Sequence, residues 1–280
     1  WRRWSIDEDY SRIDVPALHV AGWYDVFLAG TVKNFVSLRN QAGTEEARQG
    51  QKLIIGPWFH IPWKPFVGQA SDDASPNLVD DWQLSWFDRF LKGQHTGVTE
   101  SPVTLFVMGE DRWRDFGQWP PAGSTPTPLY LHSNGRANSA HGDGTLSTTA
   151  PGDEAPDVFT YDPGIPNLSQ GGHSCCFDFA APMGPADQAP SEDYTQVLVY
   201  TTDPLAADHL LIGDVSVVLF AASSAVDTDW TARLCRVDEN GRSVNLQEGI
   251  VRARFRDSLR DPTFIEPDRV YEYRIQLGPV

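Results

Sequence analysis

The feature that most constrains this chain is a strand, helix and strand confined to residues 17–55. ALHVAGW opens after Pro16, and proline suits the first position of a strand. Leu28, Val32, Phe35 and Val36 then recur at helical spacing, and Gly43 marks the stop. A polar loop, TEEARQGQ, leads into LII, a continuous apolar run of the kind parallel sheets bury on both faces. Parallel strands cannot be joined by a tight turn, so the helix is a crossover, and a right-handed one is expected. Residues 1–98 therefore read as α/β.

A second helix is expected over VDDWQLSWFDRFLKG, residues 79–93. Val79, Trp82, Trp86, Phe87, Phe90 and Leu91 share one face, acids sit near its start, and Lys92-Gly93 closes it. That stripe reads as packing against a sheet. After residue 100 the pattern changes to short strand-like runs separated by turns, from VTLFVMG to VYEYRIQL. Tyr271, Tyr273, Ile275 and Leu277 alternate with polar residues, and Asn240-Gly241 signals a hairpin. Residues 99–280 are accordingly expected to form an all-β sandwich of jelly-roll type. The small, polar stretch at 133–156 offers no apolar surface and is expected to be a mobile loop.

Composition narrows the function. The 280 residues carry a net charge of −16, with a pI near 4.7. With no basic patch to offset the acids, nucleic acid is not an expected partner. No apolar run reaches the ~18 residues of a membrane span, so no membrane partner is expected either. The three cysteines, Cys175, Cys176 and Cys235, form no CxxC pair and read as reduced thiols of a cytoplasmic protein. His173 beside Cys175 and Cys176 lacks a fourth ligand at zinc spacing, so neither a metal nor another cofactor is expected.

Both strands of the first unit end on a titratable group. AGWYD delivers Asp25 and KLIIGPWFH delivers His60. Open α/β sheets place functional groups in loops at the carboxyl ends of their strands, so these two can lie side by side. An acid that orients an imidazole and stabilises its cation is what a hydrolase triad requires, and here the acid precedes the histidine, as in α/β-hydrolases. The competing reading is that Asp25 caps a turn and His60 is ordinary loop structure.

The words around these residues favour the first reading. IDVPALHVAGWYDVFLAGTVKNF followed by KLIIGPWFH resembles the cocaine esterase and X-prolyl dipeptidyl-peptidase family of serine hydrolases. DWQLSWFDRFLKG, YDPGIPNLSQGG, GPADQ and the run from VLVYTT to VRARFR resemble later parts of that family, in the same order. The resemblance implies that Asp25 and His60 are the triad acid and base. It implies a jelly roll after the α/β part, and a nucleophilic serine in a G-x-S-x-G elbow. No such elbow occurs in these residues. The resemblance thus makes the chain an internal or C-terminal portion of a longer enzyme, inactive alone and with its jelly roll cut short.

It also implies a substrate class. Members acting on α-amino acid esters hold the ammonium with carboxylates placed partly just after the triad acid. Here Val26, Phe27 and Leu28 follow Asp25, which points to an ester or amide with an apolar acyl group. Trp23, Phe27 and Trp58 are expected to contact that small-molecule substrate. Cys176 and Phe177 fall where the family lines its acyl pocket, or else they fill a domain interface. An X-prolyl dipeptidyl-peptidase and a non-catalytic β-sandwich binding module stand as alternatives, and self-association into a homo-oligomer stays open.

Overall fold

The computed structural model describes residues 4–60, 78–173, 175 and 183–280. Cys176 and Phe177 lie outside them. The first strand, β1, spans Ala17–Gly22 and pairs in parallel with β2, Gln51–Gly56, from Ala17 opposite Gln51 to Gly22 opposite Gly56. Between them run α1, Leu28–Gln41, and the short α2, Glu45–Gln49. Leu28, Val32, Phe35 and Leu38 form the buried stripe of α1, and every residue of β2 is buried, as expected of a central parallel strand. Thr44 caps α2, its hydroxyl accepting from Ala47 N at 3.1 Å.

The sheet continues past residue 98. Strand β3, Val103–Val107, pairs in parallel with β2, and β4, Arg112–Phe116, pairs antiparallel with β3, giving the order β1-β2-β3-β4. The expected boundary at 98/99 therefore falls before two strands that belong to this sheet by their hydrogen bonds. The reason is local. VTLFV is a continuous apolar run buried at all five positions, so it suits the interior of a mixed sheet and not a half-exposed sandwich.

The helix α3 covers Val79–Lys92 and ends on Gly93 in the left-handed region, where Gln94 N bonds Asp88 O at 3.1 Å. Its stripe packs less completely than expected. Val79 and Trp86 are buried, but Phe87 is 54% and Leu91 77% exposed. Trp82 meets Trp113 edge-on with ring centroids 4.9 Å apart, so the packed face is turned toward β4.

Beyond residue 116 the described residues form three antiparallel pairs. They are β5 (Tyr130–His132) with β6 (Thr145–Ser147), β7 (Asp214–Ala221) with β10 (Tyr271–Pro279), and β8 (Asp229–Val237) with β9 (Ser243–Arg252). The one further α-helix among the described residues is the four-residue α4, Ala189–Glu192. On β10, Tyr273, Ile275 and Leu277 are buried while Glu272, Arg274 and Gln276 are exposed, the period-two pattern expected. The hairpin at Asn240-Gly241 forms too, with Gly241 at φ +78° and its N–H on Asp238 O. Gly249 lets β9 approach β10 closely, because a Cβ there would lie 2.1 Å from the Gln276 carbonyl oxygen.

Residues 133–156 are folded, contrary to expectation. Asp157 gathers the stretch, accepting from Ala137 N, Ser133 Oγ and Tyr200 OH, each at 2.7 Å. Nδ1 of His132 meets Glu154 Oε1 at 2.7 Å, and Ala137 is fully buried. Polar groups with fixed partners replace the apolar surface the stretch lacks, a pattern invisible without the partner at 157 or 200. Burial alone would raise the Asp157 carboxyl, but the bonds from Ala137, Tyr200 and Ser133 together hold it below the ordinary aspartate range. A depressed folded-state value means that this contribution is present above the unfolded pKa and is lost as pH falls through the folded one. Asp157→Ala, which also orphans the buried Ala137 N–H, is expected to lower stability by about 1–3 kcal/mol at pH 7. It should also flatten the loss of stability below about pH 4, read from urea midpoints across pH.

Candidate active site

Asp25 and His60 are brought together by two glycines. Gly22 and Gly56 are register partners at the carboxyl ends of β1 and β2. A Cβ on Gly22 would lie 2.0 Å from the Trp58 carbonyl oxygen, and one on Gly56 would meet the Trp58 ring at 2.6 Å. The loops after both strands therefore stay in contact, with Trp23 N donating to Gly56 O at 3.0 Å and Tyr24 N to Trp58 O at 3.3 Å. Gly22→Ala is expected to cost about 1–3 kcal/mol by overpacking and to separate the two loops, seen as reduced thermal stability together with reduced activity in the full-length protein.

Asp25 is 3% exposed, and its Oδ2 lies 3.2 Å from Nδ1 of His60. Its Oδ1 accepts from Phe27 N at 2.8 Å, and its carbonyl accepts from Leu28 N at 3.1 Å at the start of α1. The two readings of Asp25 are thus compatible, since one carboxylate oxygen caps the turn and the other faces the imidazole. The His60 side chain keeps 30% of its surface. The Phe27 ring, 56% exposed, stands edge-on to the His60 ring with centroids 4.8 Å apart. The group next to the acid–histidine pair is therefore apolar and accessible.

Trp23 and Trp58, the other described residues expected at the site, are both buried. Trp23 is 8% exposed and donates its indole N–H to Phe106 O at 2.7 Å. Trp58 has no exposed surface and packs with Ile54, Val79, Trp82 and Trp113. Both rings are used in packing. Aromatic residues flanking a site by sequence carry no mark that distinguishes core from lining. Cys175 is disulfide-bonded and not reduced, whereas Cys235 is free and burial raises its thiol to about 11. Among the described residues no group of three metal-ligating side chains converges, and no helix is long and apolar enough to cross a membrane.

Two groups beside the pair escaped the sequence reading as site residues. His173 packs on Tyr24 with ring centroids 5.8 Å apart. Burial lowers its pKa, a trend the nearby Glu248 carboxylate opposes. Tyr24 itself donates to the main-chain oxygen of Asn245 at 2.6 Å. Only the double glycine before His173 hinted at a close approach.

Residues 96–280 match the family model of the X-Pro dipeptidyl-peptidase C-terminal non-catalytic domain, and residues 1–62 match that of the X-Pro dipeptidyl-peptidase (S15 family). The chain belongs to the cocaine esterase and X-Pro dipeptidyl-peptidase family. Within that family it is 38% identical over 285 aligned residues to a cocaine esterase from Rhodococcus sp. (strain MB1 Bresler), covering 99% of this chain and 48% of that protein. Two solved structures share the fold. An aminopeptidase from the marine sediment archaeon Thaumarchaeota archaeon superposes with a TM-score of 0.78 at 24% identity, over 96% of this chain and 45% of that one. An α-amino acid ester hydrolase does so with a TM-score of 0.75 at 21% identity, over 100% and 48%. The chain thus spans about half the length of these relatives.

Proposed function

We propose that the full-length protein is a serine hydrolase of esters or amides with an apolar acyl group, with Asp25 and His60 as the acid and base of its triad. The observation that carries this reading is the buried Asp25 carboxylate 3.2 Å from His60 Nδ1 at the carboxyl ends of parallel neighbours. With Nδ1 donating to Asp25, Nε2 is the free base that takes the proton of a serine hydroxyl and returns it to the leaving group. The buried carboxylate holds that tautomer and stabilises the imidazolium formed during acylation. The serine and the oxyanion donors belong to the part of the family fold outside these residues. On this reading the strand pairs after residue 116 belong to the family's jelly roll.

The apolar acyl preference is supported by the three residues after the acid. Val26 and Phe27 are 41% and 56% exposed, Leu28 is buried, and none offers a carboxylate to an ammonium. The family models favour one alternative, an X-prolyl dipeptidyl-peptidase, which must hold a charged amino terminus. Three substrates separate these readings in the full-length protein: an aryl ester with a bulky apolar acyl group, an α-amino acid ester, and an X-prolyl anilide. The apolar ester is expected to have the highest kcat/KM, by about 10²-fold over the cationic ones, because an ammonium there is left without a partner. A faster X-prolyl anilide replaces the esterase reading. Hydrolysis of none of them by the folded protein favours a binding module.

A further inference from the structure

The α/β region and the β region meet through a contact that ends one residue from Asp25. Tyr24 OH reaches Asn245 O on β9, and the bond is buried. Asn245 is itself held on three sides. Its Oδ1 accepts from Ala186 N at 2.7 Å and from Gln188 Nε2 at 3.1 Å, and its Nδ2 donates to Gly184 O at 3.2 Å. Gly184 is bridged to Gly172 by reciprocal main-chain bonds of 2.7 and 3.0 Å. That bridge delivers His173 onto the Tyr24 ring.

The double glycine is required for this path. Gly171 and Gly172 have φ of +68° and +87°, and a Cβ on Gly172 would fall 2.1 Å from Glu248 Oε1. Glu248 in turn pairs with Arg233 at 2.8 Å, so the wall behind Gly172 is itself fixed. Tyr24 and Asp25 are consecutive, and Tyr24 is gripped from the β side through its hydroxyl and its ring.

We propose that Tyr24, His173 and Asn245 form a latch through which the β region sets the position of the Asp25 carboxylate. This rests on the triad reading above and gives a positioning role to a region whose family model is called non-catalytic. The physical basis is that a carboxylate orients an imidazole only if its own main chain is held. Tyr24 directly precedes Asp25, so a shift of the tyrosine passes to the acid through a single peptide unit. None of the three residues needs to touch substrate.

The test uses the full-length protein, with kcat, KM and thermal midpoint measured for Tyr24→Phe, His173→Leu, His173→Phe, His60→Ala and Tyr200→Phe. Tyr24→Phe and His173→Leu are expected to lower kcat about 10-fold with KM within twofold, since a small displacement of a catalytic group costs rate more than binding. His173→Phe, which keeps a ring against Tyr24, should recover most of the loss. Tyr200→Phe removes another tyrosine hydroxyl bond of the β region, far from Asp25 in the hydrogen-bond network, and should leave kcat unchanged. Unchanged kcat in both Tyr24→Phe and His173→Leu, in a protein that His60→Ala inactivates, overturns the latch alone. An active His60→Ala overturns the triad reading and the latch with it. If Tyr24→Phe does not fold, the His173 pair decides, and failure of phenylalanine to restore what leucine loses counts against positioning.

Discussion

Replacing His60 by alanine in the full-length protein is expected to lower kcat for ester hydrolysis by about 10⁴–10⁶. On the proposed triad reading the imidazole is the base that serves the nucleophile, and removing it leaves a serine hydroxyl that no group deprotonates. Folding should survive, because the His60 side chain is 30% exposed and lies in a loop after β2. Asp25→Asn is expected to cost about 10⁴ or less. Asparagine still presents an oxygen to Phe27 N, so the turn cap at 2.8 Å persists while the imidazole loses its anionic partner. Circular dichroism and steady-state kinetics on both variants check this. Near-normal turnover in His60→Ala removes the basis for a triad.

The largest stability effect is expected from Trp58→Ala, at about 3–5 kcal/mol. The ring has no exposed surface, packs on Ile54 and Val79, and meets Trp113 with centroids 5.6 Å apart. Its removal opens a cavity between β2, α3 and β4 that backbone hydrogen bonds prevent from collapsing. The thermal midpoint should fall on the order of 10 °C for a protein of this size. Trp58→Phe, which refills most of the volume, should recover more than half of the loss. A Trp58→Ala variant as stable as the parent would mean that the ring lines an open pocket after all.

The parallel unit was legible because its signals are short-range: apolar continuity in LII, helical spacing from Leu28, and punctuation at Pro16 and Gly43. The pairing of Asp25 with His60 was legible for the same reason, as both are dictated by where adjacent strands end. The features that stayed hidden depend on partners distant in sequence. Nothing in VTLFV says that Val103 will face Leu53, and nothing in TQVLVY says that Tyr200 will bind Asp157. Lys52 shows this limit most plainly. A lysine inside a buried strand looks like a misfit until Thr104 and the Ser101 carbonyl are seen to accept from its ammonium, both at 2.5 Å. Burial lowers that ammonium to about 8, against the pull of Asp115. The role of Tyr24 was hidden likewise, because its bond partner lies 221 residues away.

The strand pair at 103–116 has a practical consequence for anyone dividing this protein into pieces. A fragment cut at the composition change near residue 98 would bare the whole β3-facing edge of β2, a flat apolar ribbon of Leu53, Ile54 and Ile55 with unpaired amides. Such an edge is a template for intermolecular pairing, so that fragment is expected to aggregate. The complementary fragment would carry an orphaned hairpin whose buried face, Val103, Leu105 and Val107, has lost its cover. A cut placed after Phe116 leaves both edges of β3 paired, and solubility should change sharply between these two cut sites.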